Sequence, residues 1–124
     1  NNQVKVDFHQ QDILSASPGI AEWNVIVSNP PYITNKEKAE MEANVLNWEP
    51  HTALFVPDHD PLLFYRKIAQ LGMSMLVNGG ALYFEINRAY GTETIAMLQA
   101  LGYENIIIRK DRFNNERMIK ATRP

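Results

Sequence analysis

Cysteine is absent from this 124-residue chain, which excludes disulfide scaffolds, thiolate nucleophiles and thiolate zinc sites together. Long apolar runs are missing too, and Asn1-Asn2-Gln3-Val4 has neither the basic nor the apolar region of a secretion signal. A cytoplasmic location is therefore expected. No one sign of charge prevails: 14 acidic and 12 basic side chains leave a net charge of −2. The basic footprint of a nucleic-acid binder is lacking, so no direct nucleic-acid or membrane partner is expected. Histidine is sparse, and His9, His51 and His59 lack the i, i+4 spacing of a helical metal pair, so no metal site is expected. Position 1 is not methionine, and the expectation is that the chain starts inside a longer protein.

What is present suits one α/β unit, since 45% hydrophobic residues suffice for a single core. Val4, Val6 and Phe8 alternate with charged neighbours and predict a short first strand. Trp23-Asn24-Val25-Ile26-Val27 predicts a second, ended by Pro30-Pro31. Thr34 and Glu37 form a capping-box pattern for a short helix from Lys36 to about Val45, and Trp48 to Pro57 reads as an ordered loop. Asp60-Pro61 predicts a helix start as N-cap and first-turn proline. Leu62, Tyr65, Ile68, Ala69, Met73 and Leu76 then recur at helical spacing until Asn78-Gly79-Gly80 ends the segment. Ala81 to Ile86 predicts a central strand buried on both faces, and Thr92 to Leu101 an amphipathic helix capped by Gly102. Ile106 to Ile108 and Met118 to Ala121 predict an antiparallel hairpin across Arg112 to Asn115.

Ser28-Asn29-Pro30-Pro31-Tyr32 lies at the carboxyl end of a predicted strand, where open α/β sheets bind ligands. Its residue types suit methyl transfer to a planar, conjugated nitrogen. The Asn29 side-chain carbonyl accepts one N–H of that nitrogen and the Pro30 carbonyl the other. As the nitrogen pyramidalises and gains positive charge its hydrogens become better donors, so both bonds strengthen most in the transition state. Tyr32 can stack on the flat acceptor and face a sulfonium. The plainer alternative is a rigid Pro-Pro turn. Asp12 and Ile13, beyond the first strand, could meet the exocyclic amine and a ring nitrogen of adenine, or Asp12 could simply cap its loop. Glu49, between Trp48 and Pro50, either lines the acceptor pocket or is an exposed acid beside a packed indole. Glu85 points into the crevice or is satisfied structurally. Tyr83 and Phe84 read as core.

Asn24 through Ile33, with Trp48-Glu49-Pro50, Ala53-Leu54, Asp60-Pro61-Leu62, Tyr65-Arg66, Gly79-Gly80, Phe84-Glu85-Ile86, Lys110-Asp111 and Arg117-Met118-Ile119, closely resembles the HemK/PrmC family of release-factor glutamine-N5 methyltransferases. Pro61 stands where that family often has glycine, and His51 where arginine is common. The resemblance implies S-adenosylmethionine as cofactor and peptide-chain release factors as partners. It places Asn29, Pro30, Pro31, Tyr32 and Glu49 around the glutamine of a Gly-Gly-Gln loop, with Asp12, Ile13 and Asn29 on the cofactor side. The Asn-Pro-Pro-Tyr tetrapeptide alone is shared with adenine-N6 methyltransferases.

The implied fold is the C-terminal part of a class I, Rossmann-like methyltransferase domain. Its sheet is mostly parallel with a C-terminal antiparallel hairpin, drawn from the spatial order 3-2-1-4-5-7-6. No Gly-rich cofactor loop precedes these motifs, nor does the family's helical domain, so residues 1–124 are expected to be the acceptor side only. Alone they are expected to bind cofactor weakly and to lack activity. The first strand is expected to re-dock on an exposed edge, or that edge to pair with a second copy, a non-catalytic dimerising unit being the alternative to an enzyme.

Overall fold

The computed structural model describes residues 5–30, 33–34, 55–57 and 59–124. The first regular strand, β1, is Trp23–Ser28. Its β-branched centre favours the extended state, and it stops at Asn29-Pro30 because proline has no N–H to give a ladder. Two short strands follow, β2 (Ile33–Thr34) and β3 (Phe55–Val56), paired in parallel as a separate sheet. The loop expected over residues 48–57 thus ends in a strand, because β2 offers backbone partners to Phe55 and Val56. The rest of that loop and the helix expected from Lys36 to Val45 lie outside the described residues.

Helix α1 spans Leu63–Met75, later than Asp60 suggests. Leu62 stands at the N-cap position without a side-chain bond, and the Asp60 carboxylate is taken by Arg66 at 2.9 and 2.8 Å. A two-point pairing with a guanidinium outweighs a single capping bond. The chain then passes directly into β4, Leu76–Glu85. Asn78-Gly79-Gly80 therefore belongs to the head of the strand instead of separating helix from strand. The cause is tertiary: Gly79 N–H donates to Arg123 O at 2.7 Å, and Arg123 N–H donates to Gly80 O at 2.9 Å. Gly79 has φ 81°, a conformation glycine adopts without Cβ strain.

Helix α2, Gly91–Leu101, ends at Gly102 with φ 102°, as expected of a left-handed C-cap. Strands β5 (Glu104–Lys110) and β6 (Glu116–Thr122) form the expected antiparallel hairpin. Asp111 orders its turn, accepting from Phe113 N–H at 2.8 Å, Asn115 N–H at 3.0 Å and Arg117 Nε at 3.0 Å. The four-stranded sheet has the order β1-β4-β6-β5, the 4-5-7-6 half of the expected arrangement. Strand β4 is central, parallel to β1 and antiparallel to β6.

Leu82 and Phe84 on β4 oppose Ala121 and Ile119 on β6 and are fully buried beneath Tyr65, Ala69 and Leu98 of the two helices. Tyr65 meets Phe84 edge to face and donates its hydroxyl to Glu85 O at 2.6 Å. Tyr103, only 4% exposed, donates to Ala69 O at 2.7 Å and occupies the space a Gly72 Cβ would need. Val25, Val27, Ile107 and Met118 alternate with these core positions and are exposed, Val27 at 73%. Among the described residues one sheet face is roofed by helices and the other is bare.

The strand expected from Val4 to Phe8 is not formed over its described residues, 5–8. Residues 5–10 join no ladder, and Phe8 is 89% exposed. Alternation makes a segment competent for pairing, but a strand also needs a neighbour for its backbone groups. Among the described residues re-docking onto β1 is likewise not seen, and β1 is the sheet edge.

Candidate functional site

The site is organised by the carboxyl end of β1. Ile26 and Ser28 alternate toward α1. Beyond them Asn29 is exposed and Pro30 is buried, which brings a polar side chain and a fixed backbone to the same strand end. Pro31, Tyr32 and Glu49 lie outside the described residues.

Asp12 approaches this end from the loop before β1. It caps a single 3-10 turn, Ile13–Ser15, its Oδ1 accepting from Leu14 N–H at 3.0 Å and its Oδ2 from Ser15 Oγ at 3.3 Å. The loop-cap alternative is thus the role observed. A carboxylate has about four lone-pair sites, so two such bonds leave acceptor capacity.

Asp12, Ile13, Ser28 and Pro30 line one open crevice of about 580 Å³, whose α1 wall is Phe64 and Ile68. That volume lies within the range of small-molecule sites. Ile13 and Ile68 continue into a second crevice of about 320 Å³ along β1, beside Trp23, Ile26 and Leu71. The two loops are 15 residues or more apart in sequence, and the parallel β1–α1–β4 crossover is what gathers them over one helix face. A flat base fits such a lining, with apolar side chains for its faces and a carboxylate for an exocyclic amine.

The periodicity of α1 captured Ile68 as a helix-face residue but not Phe64. The available signal was the Phe64/Ile68 spacing of four, a second stripe beside Leu62 and Tyr65. Glu85 lies on the strand face opposite Phe84 and does not line the 580 Å³ crevice. Asn87 is buried and accepts from Ala89 N–H at 2.9 Å, a structural cap on the turn Arg88–Tyr90. Phe84 is core as expected; Tyr83 is half-buried on the bare face, where Lys120 Nζ lies 5.8 Å from its ring. Among the described residues no three His, Asp or Glu side chains gather as metal ligands, and no helix is long and apolar enough to cross a membrane.

Electrostatics is concentrated at the head of α1 and at the hairpin. The hydrogen bond from Arg66 holds Asp60 below the usual carboxylate range, and Asp60 in turn raises Arg66. Asp111 is lowered first by the Asn115 N–H and then by Arg117. Burial pushes the Tyr103 hydroxyl up to about 12.

No protein-family model matches the chain. Among curated proteins, it is 54% identical over 97% of its length to a release factor glutamine methyltransferase from Bacteroides thetaiotaomicron. A protein of the same name from Flavobacterium psychrophilum is 49% identical, again over 97% of this chain. Over the stretch that it spans, the chain is similar to these release factor glutamine methyltransferases. That stretch is 44% of the Bacteroides protein and 42% of the Flavobacterium one, less than half of either relative.

Solved structures agree on the fold, and one of them carries the same function in its name. A release factor-specific protein-(glutamine-N5) methyltransferase from Alicyclobacillus acidocaldarius superposes with a TM-score of 0.51 at 26% identity, covering 82% of this chain and 48% of that one. A putative DNA modification methylase from Thermus thermophilus gives 0.55 at 17% identity, over 90% of this chain and 50% of that one, and speaks to the fold alone. The four-stranded α/β sheet is accordingly Rossmann-like.

Proposed function

We propose that the protein transfers a methyl group from S-adenosylmethionine to the side-chain N5 of the glutamine in the Gly-Gly-Gln motif of peptide-chain release factors. Residues 1–124 are its acceptor-side part, and the cytoplasm is its location. The observation that carries this reading is the crevice in which the Asp12-Ile13 loop and the Ser28–Pro30 strand end meet over Phe64 and Ile68. The identity to release factor glutamine methyltransferases supports glutamine over adenine as acceptor.

In this reading Asp12 and Ile13 take the adenine edge of the cofactor, Phe64 and Ile68 supply an apolar wall, and Asn29 stands between cofactor and acceptor. When bound, S-adenosylmethionine supplies the electrophilic methyl group. Every other part of catalysis falls to the chain. The Asn29 carbonyl and the Pro30 carbonyl accept the two N–H groups of the glutamine amide, fixing the nitrogen lone pair in one direction. Conjugation with the amide carbonyl weakens that lone pair, and the two acceptors favour the pyramidal nitrogen over the planar one. The methylated nitrogen then loses one proton to water. Pro31, Tyr32 and Glu49 complete the acceptor side.

The test is methylation of a Gly-Gly-Gln release factor by the protein as encoded, with duplex DNA as the competing acceptor. Asn29→Ala is expected to lower kcat by about 10²–10³-fold, as for loss of one transition-state hydrogen bond. Asn29 is exposed, so the melting temperature should be unchanged. Activity on DNA instead, or full activity of the variant, would refute the reading.

A further inference from the structure

Helix α1 presents two neighbouring stripes to two different surroundings. Phe64 and Ile68, four residues apart, wall the crevice of about 580 Å³ that Ser28 and Pro30 also line, while Tyr65 and Ala69, one position on, turn into the core. Tyr65 is 1% exposed and reaches the end of the central strand. Its ring meets Phe84 edge to face with 4.9 Å between centroids, and its hydroxyl donates to Glu85 O at 2.6 Å, at the short end for an O–H donor.

The same strand end fixes the opposite wall. Strand β1 runs beside β4 with Ser28 opposite Phe84, so the residue whose ring Tyr65 touches is also the register partner of the Ser28 end. Tyr65 thereby joins both walls of the crevice to one pair of residues, Phe84 and Glu85. It stands in the first turn of α1, where Leu62 at the N-cap position supplies no side-chain bond and the first N–H groups of a helix lack intrahelical partners. Tyr103 makes a corresponding tie one turn on, to Ala69 O at 2.7 Å, but from the chain between α2 and β5, which contributes no lining residue to the crevice.

We infer that Tyr65 is a positioning residue for the methyl donor: held by Glu85 O, its hydroxyl sets how far Phe64 stands from Ser28 and Pro30, and so the width of the slot that the flat base enters. The inference rests on the methyl-transfer reading and adds to it the part that gauges cofactor fit. Tyr65 lines no part of the crevice and acts through Phe64. Without the hydroxyl the ring still packs on Phe84, so the first turn of the helix is freed to shift while the core persists. A looser slot holds a rigid base less well.

The test uses the protein as encoded, with Y65F, F64A, the double variant Y65F/F64A and Y103F, each titrated with S-adenosylmethionine in a calorimeter. Y65F is expected to raise the Kd about three- to tenfold, with kcat at saturating cofactor and KM for the release factor each within about twofold of wild type. F64A removes the wall itself and should weaken binding at least as much. The double variant should bind no more weakly than F64A alone, because the hydroxyl then has no ring left to place. Y103F loses a buried hydroxyl bond to the same helix and should show a comparable fall in melting temperature with Kd within about twofold of wild type.

An unchanged Kd in Y65F or F64A, an equal rise in Y103F, additive losses in the double variant, or a Y65F that does not fold would each overturn the inference, the last by making the hydroxyl a requirement of the fold. A wild-type protein that leaves the release-factor glutamine unmethylated refutes the functional reading instead, whatever the variants do to cofactor binding.

Discussion

Replacing Gly72 by alanine should destabilise the protein, and the same replacement should stabilise it once Tyr103 has lost its hydroxyl. Gly72 lies inside α1, where alanine is favoured over glycine by about 1 kcal/mol. A Cβ at that position, however, would overlap the Tyr103 hydroxyl oxygen. That oxygen is not free to move, since it donates to Ala69 O at 2.7 Å in the buried contact between α1 and the start of β5.

Displacing it forfeits a hydrogen bond of about 1 kcal/mol, and crowding a packed interior costs about a further 1–3 kcal/mol. G72A should therefore lose roughly 1–3 kcal/mol net after the helix-propensity gain. In Y103F the obstructing atom is gone. The nearest neighbours become Leu76 Cδ1 and the Tyr103 ring carbon Cζ position, both at 3.7 Å, an ordinary contact. There G72A should gain about 0.5–1 kcal/mol, a coupling of about 1.5–4 kcal/mol between the two sites. Urea unfolding of the four proteins, read at constant m-value, measures it. Equal destabilisation by G72A in both backgrounds would refute the packing argument.

Tyr103 also predicts alkaline behaviour: its hydroxyl ionises near 10 when unfolded and at about 12 when folded. Its contribution is complete below pH 10 and is lost as pH rises toward 12, a decline that thermal melts of Y103F should lack. Val27 is exposed on the edge strand β1; these 124 residues should associate with concentration in sedimentation, and Val27→Lys should suppress it. Titration of S-adenosylmethionine into the same chain should show weak binding or none, and tight stoichiometric heat would count against its being only the acceptor side.

Much of the fold was legible because local and tertiary preferences coincide in it. Ala81 to Ile86 became the central strand, although among the described residues only its Leu82 and Phe84 face is buried and not both faces as its apolar run suggests; Gly102 closes α2 with a positive φ. The misreadings share a cause, a distant partner redirecting a local signal. Asp60 looked like a cap, but Arg66 holds its carboxylate. Gly79-Gly80 looked like a stop, but Arg123 pairs with both and draws them into β4. Val6 and Phe8 alternate correctly and yet join no ladder. Of the candidate site, the motif at Asn29-Pro30 was readable from the chain. Its neighbours Phe64 and Ile68 were not, since their proximity follows from how α1 crosses β1.

The register of β1 on β4 acts as a ruler for the site. Ser28 stands opposite Phe84, and the pairing jumps from Trp23–Leu76 to Val25–Ala81 across the head of β4. Gly80 sits in that jump with Val77 O and Asn24 O so near that a Cβ would meet them at 2.9 and 3.2 Å, so the glycine is the peg against which the strand is set. A slip of two residues would carry Asn29 about 7 Å along the sheet, away from Asp12. Inserting one residue between Asn24 and Ser28 would turn every later side chain of the strand to the opposite face. The length from Asn24, which packs on that peg, to the motif at Asn29 should therefore tolerate no change in working homologues, even where the residues that fill it vary.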